Sequence, residues 1–474
     1  MDKTIDDVAA ALNGIRDGAT VLFGGFGVMQ GWPNTLLLAL RDHGARDLTI
    51  VCNATGAGPW SAQLLAEAGL VRKVVTTFAA YPARETPIED GIRAGRIACE
   101  LVSQGTLAER VRAGGAGLGA FWTPVGFDTV LAEGKERRVF DGRPHVLEHA
   151  LRADLALVRA HRADRHGNLV YRRAARNFHP VFAGAARRTL AEVDEIVAPG
   201  ALDGDAIHTP GIFVDGVVRT AHPLAVAEVL ELRRIHGRKV AMEPRAELGG
   251  LPPDLMARRV ALCLRPGEYV NLGLGLPALV SNVAGDRDVV LHAENGVLGY
   301  GPLAELGDPD VDCYNATGQF VSLRPGASFA DSALAHVMAR GGRVSTVVLG
   351  AFQVSEQGDL ANWRIPATEK GGVGGAMDLV AGGARVVALT FHTTRAGAPK
   401  LVRRCTYPLT AARCVREIVT DLGYFTVAPE GGLVLRELAP GVTVETVRGH
   451  TDARFRVASD LREMTFTSPP PSSS

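Results

Sequence analysis

Leu291-His292-Ala293-Glu294-Asn295-Gly296-Val297-Leu298-Gly299, running on from Val289-Val290, is the stretch from which the architecture can be read. Its β-branched and aliphatic residues suit a strand covered on both faces, while Asn295-Gly296 permits the positive φ of a sharp turn. The run predicts a buried strand whose carboxyl end carries Glu294, the place where open α/β sheets set their ligands. A carboxylate there, with an unperturbed pKa of roughly 4.3, is expected to be ionised at pH 7 and able to act as a nucleophile or general base. Taken alone, a Glu before Asn-Gly is also what a solvated surface turn carries.

Outward from this stretch, one order of elements is written twice. In the first half an amphipathic segment, Val8 to Leu12, precedes a turn at Asp17-Gly18-Ala19-Thr20 and a strand at Val21-Leu22-Phe23. A glycine loop, Gly24-Gly25-Phe26-Gly27 with Gly31-Trp32-Pro33, then leads to a helical run at Leu36 to Leu40 and a strand from Leu48 to Cys52 that ends at Asn53. In the second half the turn is Arg265-Pro266-Gly267, the strand Tyr269 to Leu272, the glycine loop Gly273 to Pro277, and the next strand Val289 to Leu291, ending near Glu294. Further on, Thr106-Leu107-Ala108-Glu109 and Ser328-Phe329-Ala330-Asp331 read as capping boxes, opening helices that stop at Gly114-Gly115 and Gly341-Gly342. Strands at Ala156 to Ala160 and Val347 to Ala351 lead, with equal spacing, to Gly167-Asn168-Leu169 and Gly358-Asp359-Leu360.

Strands alternating with helices predict an α/β protein: two similar open, largely parallel-sheet domains related by internal duplication, with the active site at their interface. Extra material in the first copy, Phe121 to Glu148, suggests hairpins. Residues 237–253, rich in Gly, Pro and charge, read as a linker, and the tail 468–474 is expected to be disordered. At the turn equivalent to Glu294 the first copy has Asn53. One copy thus supplies a carboxylate and the other polar groups across a cleft.

A chain of 474 residues accommodates two or three domains. Lys+Arg and Asp+Glu number 51 each, so charge gives no argument for nucleic acid or an anionic membrane as partner. Six scattered cysteines fit a reduced compartment. Met1-Asp2-Lys3-Thr4 does not open a secretory signal, and no apolar run approaches a membrane span, so a soluble cytoplasmic protein is expected. The glycine loops do not keep the G-x-G-x-x-G spacing of a dinucleotide site, and no P-loop, G-x-S-x-G or H-E-x-x-H occurs. His161, Asp164 and His166 read as a solvated loop rather than a metal site. Lys370-Gly371-Gly372-Val373-Gly374-Gly375-Ala376 offers a backbone free to approach a ligand near a helix start.

Together, Glu294 to Gly299 (E-N-G-V-L-G), Asn271 to Pro277 (N-L-G-L-G-L-P) and Gln104 to Gly117 (Q-G-T-L-A-E-R-V-R-A-G-G-A-G) resemble the family I CoA-transferases, specifically 3-oxoacid CoA-transferases with fused A and B subunits. Gly167 to Tyr171, Ala175 to Phe178, Leu349 to Val354 and Gly374 to Leu379 extend the resemblance over nearly the whole chain. It implies an A-like domain at 1–236 and a B-like domain at 254–467. Glu294 matches the glutamate that forms a thioester with CoA in ping-pong transfer from an acyl-CoA, by default succinyl-CoA, to a 3-oxoacid such as acetoacetate. Gln104 matches a side-chain amide of the oxyanion site, with backbone N–H groups around Gly374 and Gly375. Asn271, Gly273 and Gly275 match the loop along the CoA chain, and Asn295, Gly296 and Gly374 are expected to line it too. Neither metal nor cofactor is implied, coenzyme A being a substrate, and fused members are commonly homodimers.

Some positions depart from the family pattern. Ala293, Gln319 and Arg343 replace the usual Ser, Lys and His, and Trp32 stands where a smaller residue is common. Ile92 to Ile97 and Arg404 to Thr410 also look like 3-oxoadipate transferases, whereas Tyr81-Pro82-Ala83-Arg84 keeps only part of that subfamily's basic pattern. Acetoacetate-like acceptors are therefore ranked ahead of 3-oxoadipate, and an acyl-CoA hydrolase comes behind both.

Overall fold

The computed structural model describes residues 1–27, 31–56, 61–80, 85–221, 248–304, 309–367 and 370–466. Most of the expected linker, the tail 468–474 and Tyr81 to Arg84 fall outside these residues. Pro253, expected to end the linker, already opens the helix Pro253–Ala261.

Seven strands of the first half run parallel, in the order Gly216–Arg219, Ala186–Val197, Ala153–Asp164, Thr20–Phe23, Leu48–Ala54, Val71–Phe78, Ala98–Leu101. The second half answers strand for strand. Val415–Val419, Arg385–Leu389, Thr346–Leu349, Tyr269–Leu272 and Val290–His292 are parallel, and Val297–Leu303 and Val321–Phe329 then join antiparallel. Gly423–Val427, Leu433–Leu438 and Phe455–Glu463 widen the other edge. The central strands are buried runs such as Val21-Leu22-Phe23 and Val347-Val348-Leu349, as a sheet covered on both faces requires.

Turn chemistry repeats with the strands. Asp164 Oδ1 accepts from the N–H groups of His166 and Asn168, and Ser355 Oγ accepts from those of Gln357 and Asp359. Each turn returns a short antiparallel strand, Leu169–Val170 or Leu360–Ala361. The sequence places the two helix starts less well. Gln104, not Thr106, begins the first helix, which runs to Gly115 after Ser103. The second begins at Ser332, because residues 328 and 329 are still in the preceding strand. There the last residue of the expected box, Asp331, is itself the cap, its side chain accepting from Leu334 N–H. The expected hairpins form a three-stranded antiparallel sheet, Ala120–Thr123, Arg143–His149 and Arg137–Phe140.

The halves share core. Tyr314 and Phe320 of the second half pack with Phe26, Leu107 and Phe178 of the first, and Val125 packs with Trp363, Val373 and Met377. Val373 N–H donates to Thr77 O at 2.9 Å, joining the glycine loop of one half to the strand end of the other. Gly372 allows this approach, since a Cβ there would lie 2.2 Å from the Phe78 ring.

The turn after Val290–His292 depends on Gly296, at φ 101°, where a Cβ would lie 2.0 Å from Ala330 O. Gly296→Ala is expected to destabilise the protein by about 2 kcal/mol or more, combining backbone strain with overlap. A urea midpoint equal to that of the parent chain would contradict this.

Candidate active site

Glu294 stands on the turn between Val290–His292 and Val297–Leu303, closed by bonds from Ala293 N–H to Val297 O and from Gly296 N–H to Ala293 O, both 2.9 Å. The residue is 7% exposed, and its Oε2 is buried without a hydrogen-bond partner among the described residues. Burial raises the carboxyl pKa, its own backbone N–H and the Asn271 amide act in the opposite direction, and the nearby Asp378 charge adds to the rise. The expected unperturbed pKa therefore needs correction: burial holds this carboxyl above its ordinary value.

Asn271, in the strand Tyr269–Leu272, is fully buried. Its Nδ2 lies 3.1 Å from His292 Nδ1 and donates to His292 O at 3.2 Å, while His292 Nε2 lies 3.1 Å from Ala335 O. Burial lowers the His292 pKa to about 4, so the ring is neutral. With Nε2–H donating to Ala335 O, Nδ1 is left to accept from Asn271. Asn295 donates to Tyr314 O at 2.6 Å. Asn271, Asn295 and Gly296, expected along the CoA chain, are thus engaged in building the turn. Gly275 (φ 82°) has open space where a Cβ would stand, and Gly273 N–H donates to Val348 O at 2.8 Å.

The first half brings Gln104 to this turn. Its backbone N–H donates to Gly374 O at 2.9 Å, and its Nε2 donates to Asn53 Oδ1 at 2.8 Å. A Cβ on Gly375 would lie 2.9 Å from Gln104 Oε1 and 3.1 Å from Glu294 Oε1. Glu294, Gln104 and Gly375 therefore meet at one point, and the missing side chain of Gly375 keeps the space between them open. Gly374 (φ 60°) packs on Phe78, and the helix Ala376–Ala381 starts just beyond, where first-turn N–H groups have no partner within the helix. The Asn53–Gln104 contact joins residues 51 positions apart, which no local motif announces.

Other candidates lie elsewhere. His166 is exposed and His161 pairs with Asp194, and among the described residues no group of three His, Cys, Asp or Glu suits a metal. Gln319 closes the Asn315 turn, its Oε1 accepting from Thr317 Oγ1 at 2.8 Å, and Arg343 is exposed beyond the helix Ser332–Arg340. Cys52, in the core, and the half-buried Cys263 are both pushed by desolvation to about 12. No helix among the described residues is long and apolar enough to cross a membrane.

A carboxylate held at the seam of two duplicated α/β halves, faced by an amide and a glycine loop, is the layout of an acyl-transfer centre. The family model described as Coenzyme A transferase matches residues 5–220 and 254–449, and the chain belongs to that family. It is 40% identical to human mitochondrial succinyl-CoA:3-ketoacid coenzyme A transferase 2, over 98% of this chain and 92% of that protein. The first half is 50% identical to one of the subunits of Pseudomonas putida 3-oxoadipate CoA-transferase, over 46% of this chain and 94% of that relative. An acyl-CoA transferase of Escherichia coli O157:H7, solved as a thioester complex with CoA, shares the fold at a TM-score of 0.78 with 21% identity, covering 98% of this chain and 96% of that one.

The raised Glu294 pKa has a definite sign. A group whose folded-state pKa exceeds its unfolded value contributes stability below the unfolded pKa and loses it as pH rises through the folded value. Glu294→Gln is therefore expected to melt higher than the parent at pH 7–8, the two converging as pH falls to the ordinary carboxylate range of about 4. Melting curves that stay a constant distance apart from pH 4 to 8 would contradict this.

Proposed function

We propose that this enzyme transfers CoA from an acyl-CoA, succinyl-CoA by preference, to a 3-oxoacid such as acetoacetate through a thioester on Glu294. The observation that carries the reading is the buried carboxylate with one oxygen unpartnered among the described residues, beside a space that Gly375 keeps open against Gln104. Desolvation strips hydration from the attacking oxygen. Attack on the thioester carbonyl forms a C–O bond and expels the CoA thiolate, leaving a mixed anhydride. The thiolate then attacks the glutamyl carbonyl, releasing the donor acid and leaving a glutamyl-CoA thioester. The acceptor carboxylate reverses both steps, so Glu294 ends as it began. No ATP is consumed, because one thioester replaces another.

Each tetrahedral intermediate carries an oxyanion that needs donors. In the resting arrangement Gln104 Oε1 and Glu294 Oε1 are two acceptors on either side of Gly375. Turning both amides over keeps the Asn53–Gln104 bond, with Asn53 Nδ2 as donor, and sets Gln104 Nε2 toward the reacting centre. Asn53 Nδ2 is otherwise buried and unpartnered among the described residues, which supports this exchange. Backbone N–H groups at Gly375 and the helix start supply the second donor. In this reading Gly273 and Gly275 flank the CoA chain, and the enzyme is a cytoplasmic homodimer.

The 50% identity of the first half to a 3-oxoadipate CoA-transferase chain keeps that diacid as second reading. A hydrolase fits less well, because the carboxylate is shielded from water. Incubation with succinyl-CoA alone is expected to leave CoA on a peptide containing Glu294, and Glu294→Ala should abolish both adduct and turnover. Double-reciprocal plots should be parallel. Intersecting plots, or activity retained by Glu294→Ala, would sink the mechanism. A kcat/KM for 3-oxoadipate more than about tenfold above acetoacetate, roughly 1.4 kcal/mol, would exchange the two acceptor readings.

A further inference from the structure

The residues on either side of Gln104 are held by a side chain from the other half. Asp378 is fully buried on the helix Ala376–Ala381, three positions beyond Gly375. Its Oδ2 accepts from Ser103 Oγ, and from Gly105 N–H at 2.9 Å. Its Oδ1 is 3.4 Å from Arg340 Nη1, which also donates to Gly105 O at 2.7 Å, while Arg340 Nη2 reaches Glu109 at 3.3 Å. Ser103, the residue before the helix Gln104–Gly115, makes no side-chain capping bond of its own. Asp378 fills that role from across the seam, a carboxylate set against the Gly105 N–H of the first turn and the positive end of the helix dipole. Gly105 is required for the approach, because a Cβ there would lie 2.4 Å from Asp378 Oδ1 and 2.5 Å from the His336 ring.

We infer that Asp378, secured by Arg340, is a positioning residue that sets Gln104 against Glu294 and the Gly374-Gly375 loop. Three features converge on this. Asp378 bonds to the immediate neighbours of Gln104 on both sides, Gln104 N–H bonds to Gly374 O, and the Asp378 helix begins where that loop ends. A rotation of that helix would therefore move the glycine loop and Gln104 together and keep their spacing. Ser103, Gly105, Arg340 and Asp378 are engaged with one another, so the clamp's geometry reaches the reaction through Gln104, while the Asp378 charge also acts on Glu294 directly. It rests on the transfer mechanism proposed above.

The test is a double-mutant cycle on the full-length chain, with kcat and KM measured for acyl-CoA and acceptor and with thermal unfolding as the check of folding. Asp378→Asn is expected to lower kcat by about 10²-fold, the usual cost of a small misplacement at a reacting centre, with KM changed by less than about threefold. Added to Gln104→Ala, it should lower kcat by no more than about threefold further, because both changes remove one function. Ser103→Ala, a milder loss of one carboxylate donor, should lower kcat about three- to tenfold and likewise add little to Gln104→Ala. It keeps the Asp378 charge beside Glu294, so it decides between the clamp and a direct charge effect, and it carries the test if Asp378→Asn does not fold. Losses that multiply with Gln104→Ala, or folded variants with the parent kcat, would overturn the clamp. CoA attachment to Glu294 in the parent chain is read separately. If the adduct is absent the transfer mechanism fails, and if it forms while the losses multiply only the clamp fails.

Discussion

An acid that must lose its water is the constraint on which the site depends. Burial raises the pKa of Glu294, and what offsets the cost is a set of dipoles fixed in place: the Asn271 amide and the residue's own N–H. Fixed dipoles hold only if their own supports are rigid. Asn271 is locked by His292, and His292 by the carbonyl of Ala335 at the helix Ser332–Arg340. The turn itself is locked by Asn295 on Tyr314 and by Gly296 against Ala330. Each support comes from a different element, so the carboxylate is over-determined on its own side of the seam, and across the space left by Gly375 stands Gln104 of the first half.

Duplication explains how the open side is filled. Both sheets follow one strand order, yet after the strand equivalent to Leu48–Ala54 the second copy turns back as an antiparallel hairpin where the first continues in parallel. The hairpin puts Glu294 on a tight turn. In the first copy the strand runs on through Asn53 to Ala54, and Asn53 faces Gln104. Two copies of one strand end thus bring a carboxylate and an amide to the same seam. The acid sits on the copy whose tight turn constrains it more.

Much of this was legible in the sequence because it is local or periodic. Buried strands, the Asn295-Gly296 turn, equal spacings in the two halves and the glycine loop before a helix all follow from patterns within a few residues. What could not be read is what depends on contact across the seam. The helix at Gln104 starts two residues before its apparent capping box, because Asp378 from the other half supplies the acceptor. Asn271 matches a ligand loop by motif, but the histidine that takes its amide is 21 positions away. The pKa of Glu294 follows from burial, which composition does not encode at a single site. Motif matching names the residues at such a seam. Which of them face a ligand and which hold another residue is decided by packing.

Departures from the family pattern can be weighed in the same way. A Lys replaced by Gln at 319 removes a charge, but the structure gives the new side-chain oxygen two donors in the Asn315 turn, Asn315 Nδ2 and Thr317 Oγ1. Arg343 is exposed beyond its helix, away from the buried seam. Trp32 differs, since it is buried beside Gly56, whose absent Cβ would lie 3.3 Å from the indole, and its Nε1 has no partner among the described residues. The indole stands in the loop after Thr20–Phe23, at the carboxyl edge of the sheet that delivers Asn53 and Gln104. Its bulk goes into core: Trp32 packs with Val21, Phe23, Leu36 and Leu37 on one face of the first sheet, while Leu22 and Val51 on the other face join the core shared with Tyr314 and Phe320, so this substitution is accommodated within the half that lacks the nucleophile.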